Sequence, residues 1–147
     1  MMNEPLVLEQ AFNTSIEHVW SAITSFNEMK EWYFPMLESF EPVLGFETKF
    51  KVENKGIEYL HVWKVDEVVP LKKISYEWKF GGYPGNSLLS FELYAQNSKT
   101  LLILMHSNLE SFRGDIYHDL SKENFRLGWQ QIIGKNLVDY LEEKYKD

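Results

Sequence analysis

Four histidines, at positions 18, 61, 106 and 118, are the side chains best suited to proton transfer or metal binding in this 147-residue chain. No two of them fall in a His-x-x-x-His spacing and there is no cysteine, so the usual zinc patterns are missing. The lack of cysteine also excludes disulfides and a thiol nucleophile. The run Asp115-Ile116-Tyr117-His118-Asp119 brings donor atoms together but reads more simply as a solvated loop. Gly81-Gly82-Tyr83-Pro84-Gly85 matches neither glycine spacing used to cradle phosphates, and strand-like runs flank it. A hairpin loop able to gate a cavity mouth is the better reading. The Gly-x-Ser-x-Gly elbow of serine hydrolases is absent. No catalytic set emerges, and the sequence calls for no cofactor.

What remains is His61 and His106 in an aromatic setting. By strand parity Tyr59, His61, Trp63, Tyr76, Trp78, Phe91 and His106 are expected to share one face, opposite Phe125, Trp129 and Ile132 of a terminal helix. A large aromatic interior with few polar tips suits a small lipid-like or aromatic ligand. The plainer alternative is that these side chains pack against one another as core. Either histidine suits a proton carrier near neutral pH, although a buried histidine is more commonly satisfied by a backbone carbonyl. Glu67 shares the parity of His61, but no partner carboxylate follows from sequence alone.

The elements that would position these residues are readable from periodicity. Leu6–Phe12 predicts a first strand. Thr14-Ser15-Ile16-Glu17 fits a capping box with Thr14 as the cap, opening a helix over 15–24 whose stripe is Ile16, Val19, Trp20 and Ile23. A second short helix over Asn27–Tyr33 must stop before Pro35. From there to Leu109 the period is two. Alternating runs at 46–53, 57–69, 74–80, 89–93 and 100–109 are joined by Gly- and Asn-rich turns. Ser121 caps a final helix over 122–143, in which Gly128 and Gly134 each cost about 1 kcal/mol, an expense that close packing against the sheet would offset. The layout is α+β, a single domain over residues 1–147 in which a curved antiparallel sheet wraps the terminal helix.

Composition narrows the partners. A net charge of −7 argues against nucleic acid, whose binding rests on clustered Lys and Arg. The acidic excess sits early. Residues 1–45 carry Glu4, Glu9, Glu17, Glu28, Glu31, Glu38 and Glu41 against the single Lys30, which reads as a solvated helical face. No apolar run is long enough to span a bilayer, and Met1-Met2-Asn3-Glu4 lacks the basic and apolar regions expected of a signal peptide. A cytoplasmic protein is expected, with the Asn13-Thr14-Ser15 sequon idle. On the strand 100–109, Leu101, Ile103 and Met105 are expected on the outer face, beside Leu60 and Val62, where a second copy of the chain is a candidate partner.

The segments Ile16–Thr24, Trp78–Gly85, His106–Leu109 and Asn124–Ile133, with Leu141-Glu142, resemble the SRPBCC (START-like, Bet v 1-like) superfamily. Within it they are most similar to the domain homologous to the activator of heat-shock protein 90 ATPase. The resemblance implies a helix-grip fold: about seven antiparallel strands around a long C-terminal helix, with an apolar cavity between them. Superfamily members include lipid and hormone binders, ring-forming cyclases and co-chaperones, so the resemblance leaves function open, and with the aromatic interior the leading expectation is a non-enzymatic hydrophobic-ligand binder. A co-chaperone role, or a cyclase or hydrolase acting in the cavity, are the alternatives. Related domains often carry polar residues where this chain has Leu101, Ile103 and Met105.

Overall fold

A computed structural model describes residues 4–146. The chain runs β1 (Leu6–Phe12), α1 (Ile16–Thr24), α2 (Phe26–Trp32), β2 (Glu47–Asn54), β3 (Ile57–Val69), β4 (Lys73–Phe80), β5 (Ser87–Gln96) and β6 (Lys99–Ser107). Short 3₁₀ turns at Leu109–Phe112 and His118–Leu120 lead into α3 (Lys122–Gln131), a π-helical stretch (Ile132–Leu137) and α4 (Val138–Lys144). All strand pairs are antiparallel, in the order β1-β6-β5-β4-β3-β2. This is the helix-grip arrangement with six strands rather than seven. The stretch 33–46 forms no strand: it holds Pro35 and Pro42, which have no N–H for a ladder, and it lays Leu37 and Phe40 onto the core instead.

Strand parity places the interior. Thr48 and Phe50 of β2, Tyr59, His61, Trp63 and Val65 of β3, and Tyr76, Trp78 and Phe80 of β4 are all buried. So are Leu89, Phe91 and Leu93 of β5 and the Thr100, Leu102, Leu104, His106 set of β6. One irregularity redirects a side chain. A bulge between Val65 and Glu67 shifts the register with β4, so Glu67 leaves the parity of His61 and pairs with Lys73 at 3.1 Å.

The long final helix is present over 122–144, with the π-helical stretch inside it. Three further expectations are corrected. The first helix is capped by Ser15, whose Oγ accepts from the His18 amide at 3.4 Å, while Thr14 bonds the His18 ring at 2.6 Å. Gly128 and Gly134 are not sites of close packing: a Cβ at Gly128 would meet nothing within 4 Å, and one at Gly134 only Gln10 Oε1 at 3.9 Å. Leu101, Ile103 and Met105 do face outward, but β5 and β4 separate them from Leu60 and Val62. Their neighbours are Ala11, Glu9 and Val7 of β1 and Tyr94, Glu92 and Ser90 of β5.

Candidate ligand-binding site

Two histidines and one tryptophan organise the interior. Trp78 stands between His61 and His106, with ring centroids 5.4 and 5.5 Å away. On one side, the Trp129 indole of α3 donates to Nδ1 of His106 at 3.1 Å. An accepting Nδ1 leaves the proton of a neutral ring on Nε2, which donates to Ser87 Oγ at 2.8 Å. The Ser87 hydroxyl in turn donates to the Trp78 carbonyl at 2.7 Å. Every group in this chain is satisfied, and burial pushes His106 down to about 3, so the ring stays neutral.

On the other side the pattern is incomplete. His61 Nδ1 lies 3.1 Å from the Tyr59 carbonyl. A carbonyl only accepts, so Nδ1 carries the proton and Nε2 presents a bare lone pair. Burial pulls His61 down to about 4, against a weaker opposing effect of that carbonyl. Phe34, Phe50, Trp78 and Phe80 surround the ring.

The open side of His61 meets a cavity of about 270 Å³ between the sheet and α3. Aromatic rings of Phe34, Trp78, Phe80, Phe125 and Trp129 supply most of its wall. Its rim is polar. The Tyr59 hydroxyl donates to Asp119 Oδ2 at 2.9 Å, tying β3 to the 3₁₀ turn that precedes α3. Lost hydration and that bond to a carboxylate push the Tyr59 phenol up to about 12. Lys55 lies 4.0 Å from the other Asp119 oxygen, and Glu53, Asn54 and Asn124 complete the rim. Gly128 opens the helix side of the space, next to Trp129 and one turn before Ile132, where the π-helical stretch begins.

Of the residues expected from sequence, Tyr59, His61, Trp78, Phe125, Trp129 and Ile132 border this cavity. Trp63, Tyr76, Phe91 and His106 do not; they form solid core behind it. Tyr76 is held by the Tyr33 hydroxyl at 2.8 Å, and burial raises both phenols. The 81–86 loop is not on the cavity wall either. Gly85 has φ +93°, where a Cβ would strike the Ser111 carbonyl oxygen at 2.4 Å, and Asn86 is bound to Ser111 and Asn108. The end of that loop is pinned, and the polar rim is formed by residues 53–54 and 119–124. Phe34, Asp119 and Gly128 were missed by parity reasoning. Phe34 and Asp119 lie outside the strands and α-helices, and a glycine contributes to a cavity by what it lacks. Asp115 and Asp119 do not act together: Asp115 is held by Arg113 at 2.8 Å.

The family described as Activator of Hsp90 ATPase homolog 1-like protein matches residues 13–142 of the chain. A search of curated proteins returns no match. Among solved structures, protein CV1439 from Chromobacterium violaceum is 20% identical, with 97% of this chain and 99% of that one covered at a TM-score of 0.75. Protein MLL2253 from Mesorhizobium loti is 21% identical over 97% and 99% of the two chains, TM-score 0.76. A protein from Arthrobacter aurescens is 13% identical over 97% and 88%, TM-score 0.79. At these identities the likeness is one of fold.

Proposed function

The chain belongs to the Activator of Hsp90 ATPase homolog 1-like family, and from that premise we propose that it binds a small hydrophobic molecule, without turnover, between its sheet and C-terminal helix. One observation carries the reading: an aromatic-walled space of about 270 Å³ that meets an imidazole acceptor with no protein donor. Binding is favoured over catalysis because His61, drawn down to about 4, is a weak base at neutral pH, where a general base works best with a pKa near 7. No helix in the described residues is long and apolar enough to cross a membrane, and we place the protein in the cytoplasm as part of the same reading. A second copy of the chain is the proposed partner of the outer face of β6, at Leu101, Ile103 and Met105.

The family's description favours a second reading, a co-chaperone-like role for the same domain. Capture of a chaperone ATPase by the wild-type chain, undiminished when the cavity is filled, would favour that reading. The test of the first is thermal unfolding against a panel of fused-ring compounds and fatty acids. At a hundredfold excess over Kd, a ligand of the folded state adds about 2.7 kcal/mol of stability. Gly128→Leu places a side chain in the cavity and should abolish the shift while the chain stays folded. A panel with no effect on the wild type overturns the reading.

A further inference from the structure

We propose that the occupant of this cavity is a compact, uncharged ring compound bearing a hydroxyl group, and that the hydroxyl donates its proton to Nε2 of His61. The inference rests on the ligand-binding reading and names the ligand class for that same site. Its first support is the tautomer. With Nδ1 committed to the Tyr59 carbonyl at 3.1 Å, the only hydrogen-bonding capacity left on the ring is the acceptor lone pair of Nε2. His61 is only 6% exposed and lies on the cavity wall, and none of its hydrogen bonds uses Nε2. A ligand that offers a donor there meets a need that the protein leaves open. An ether or a bare hydrocarbon leaves that need unmet.

Charge supplies the second support. The ionised side chains bordering the cavity are Glu53 and Asp119, both acidic. The neighbouring cation, Lys55, is largely in solvent, 4.0 Å from Asp119. A carboxylate ligand would approach two carboxylates and then point its oxygens at a lone pair. An ammonium would be drawn to the rim but would have to shed its water among aromatic rings to reach His61. Size is the third support. A dry cavity of about 150 Å³ holds benzene, so about 270 Å³ has room for two fused rings.

The experiment titrates the full chain at neutral pH, by calorimetry and tryptophan fluorescence, with 2-naphthol, 2-methoxynaphthalene, 2-naphthoate and 2-naphthylmethylammonium. 2-Naphthol should bind about tenfold tighter than its methyl ether, the ratio expected for one hydrogen bond to an otherwise orphaned acceptor. In His61→Phe that ratio should fall to near one while the ether binds as before. A measurement on the wild type guards against a misfolded variant: the ¹⁵N resonance of His61 Nε2 should move upfield with 2-naphthol and stay in place with the ether. Equal binding of naphthol and ether, a preference that survives His61→Phe, or tightest binding by either ion overturns the hydroxyl proposal and leaves the cavity reading standing. No binding by any of the four overturns the cavity reading, and this inference with it.

Discussion

Trp78 divides the interior into two halves that differ in one respect. Behind it, His106 has both ring nitrogens engaged by Trp129 and Ser87. In front of it, His61 has one nitrogen engaged and one facing empty space. Both rings are buried and both are held neutral, so burial does not separate a structural histidine from one available to a ligand. Hydrogen-bond accounting does. The halves differ on their outer surfaces too. The closed half is backed by β6 with Leu101, Ile103 and Met105, whereas the open half is backed by β2, β3 and β4 with Lys49, Lys51 and Lys79 around Leu60 and Val62.

The comparison is broken most directly at Trp129, which serves both halves. Trp129→Ala removes a buried indole and strips His106 of its donor, so unfolding should cost about 3–5 kcal/mol less than in the wild type, read from denaturant midpoints. A loss below about 1 kcal/mol, in the range of surface substitutions, would mean that the indole is not anchored as described. Acid comes next. Above the unfolded value of 6.5 both states hold neutral rings, and the two histidines leave stability unchanged. Below it the unfolded chain takes up protons first, so stability drains as pH falls from 6.5 toward the folded values of about 4 for His61 and about 3 for His106. By pH 4 each ring should account for about 3 kcal/mol of lost stability. His61→Phe should remove its share of that acid loss at little cost at pH 7. His106→Phe should also remove a share, yet lose about 1–3 kcal/mol at pH 7 by orphaning Trp129 and Ser87. Circular dichroism across pH for the three chains checks both. Equal behaviour of the two variants at pH 7 would erase the distinction between the halves.

Much of this was legible in the amino-acid order. Period-two runs located the strands, and their parity turned His61, Trp78 and His106 inward. The terminal stripe placed Phe125 and Trp129 against them. What parity could not supply is depth within one face: His106 and His61 have the same pattern, and only the partners brought by Ser87, Trp129 and Tyr59 tell them apart. Nor does a hydrophobic pattern announce a bulge. Asp66 and Glu67 follow Val65 with no glycine or proline to mark the extra residue, so Glu67 kept a parity that the structure revokes. The loop at Gly85 escapes a pattern reading because its glycine serves a close approach to Ser111, a contact 26 residues away in sequence.

A smaller effect sharpens the contrast from the helix side. Gly128 sits inside α3 with open space where a Cβ would go. Gly128→Ala should therefore gain helix propensity with no clash, stabilising the chain by about 1 kcal/mol and raising Tm by about 2–4 °C. The change at a fully packed position has the opposite sign. Ala22 of α1 is fully buried, and Ala22→Leu should destabilise by about 1–3 kcal/mol through overpacking. Differential scanning calorimetry of the two variants decides. A destabilised Gly128→Ala would mean that the open half is packed as tightly as the closed one.

The smallest effect concerns the outer face behind the closed half. Val7 and Met105 are paired there, Leu88 stands nearby, and Tyr94 pairs with Leu101 at the other end; of these Val7, Leu88, Tyr94 and Met105 are exposed. Ile103 lies in the middle, flanked by Glu9 on β1 and Glu92 on β5. A two-fold contact centred on Ile103 buries the apolar positions but sets these carboxylates against their own copies, and opposed like charges weaken such pairing. The dimer proposed for this face is therefore weak, and salt should strengthen it, because screening relieves the repulsion while leaving the apolar burial in place. Sedimentation velocity at tens of micromolar should show a dimer fraction that rises from low to high salt and vanishes at both in Ile103→Lys. A dimer that dissociates with salt would be held by opposite charges elsewhere on the surface. A monomer under every condition removes the interface and leaves the apolar outer face of β6 without a partner.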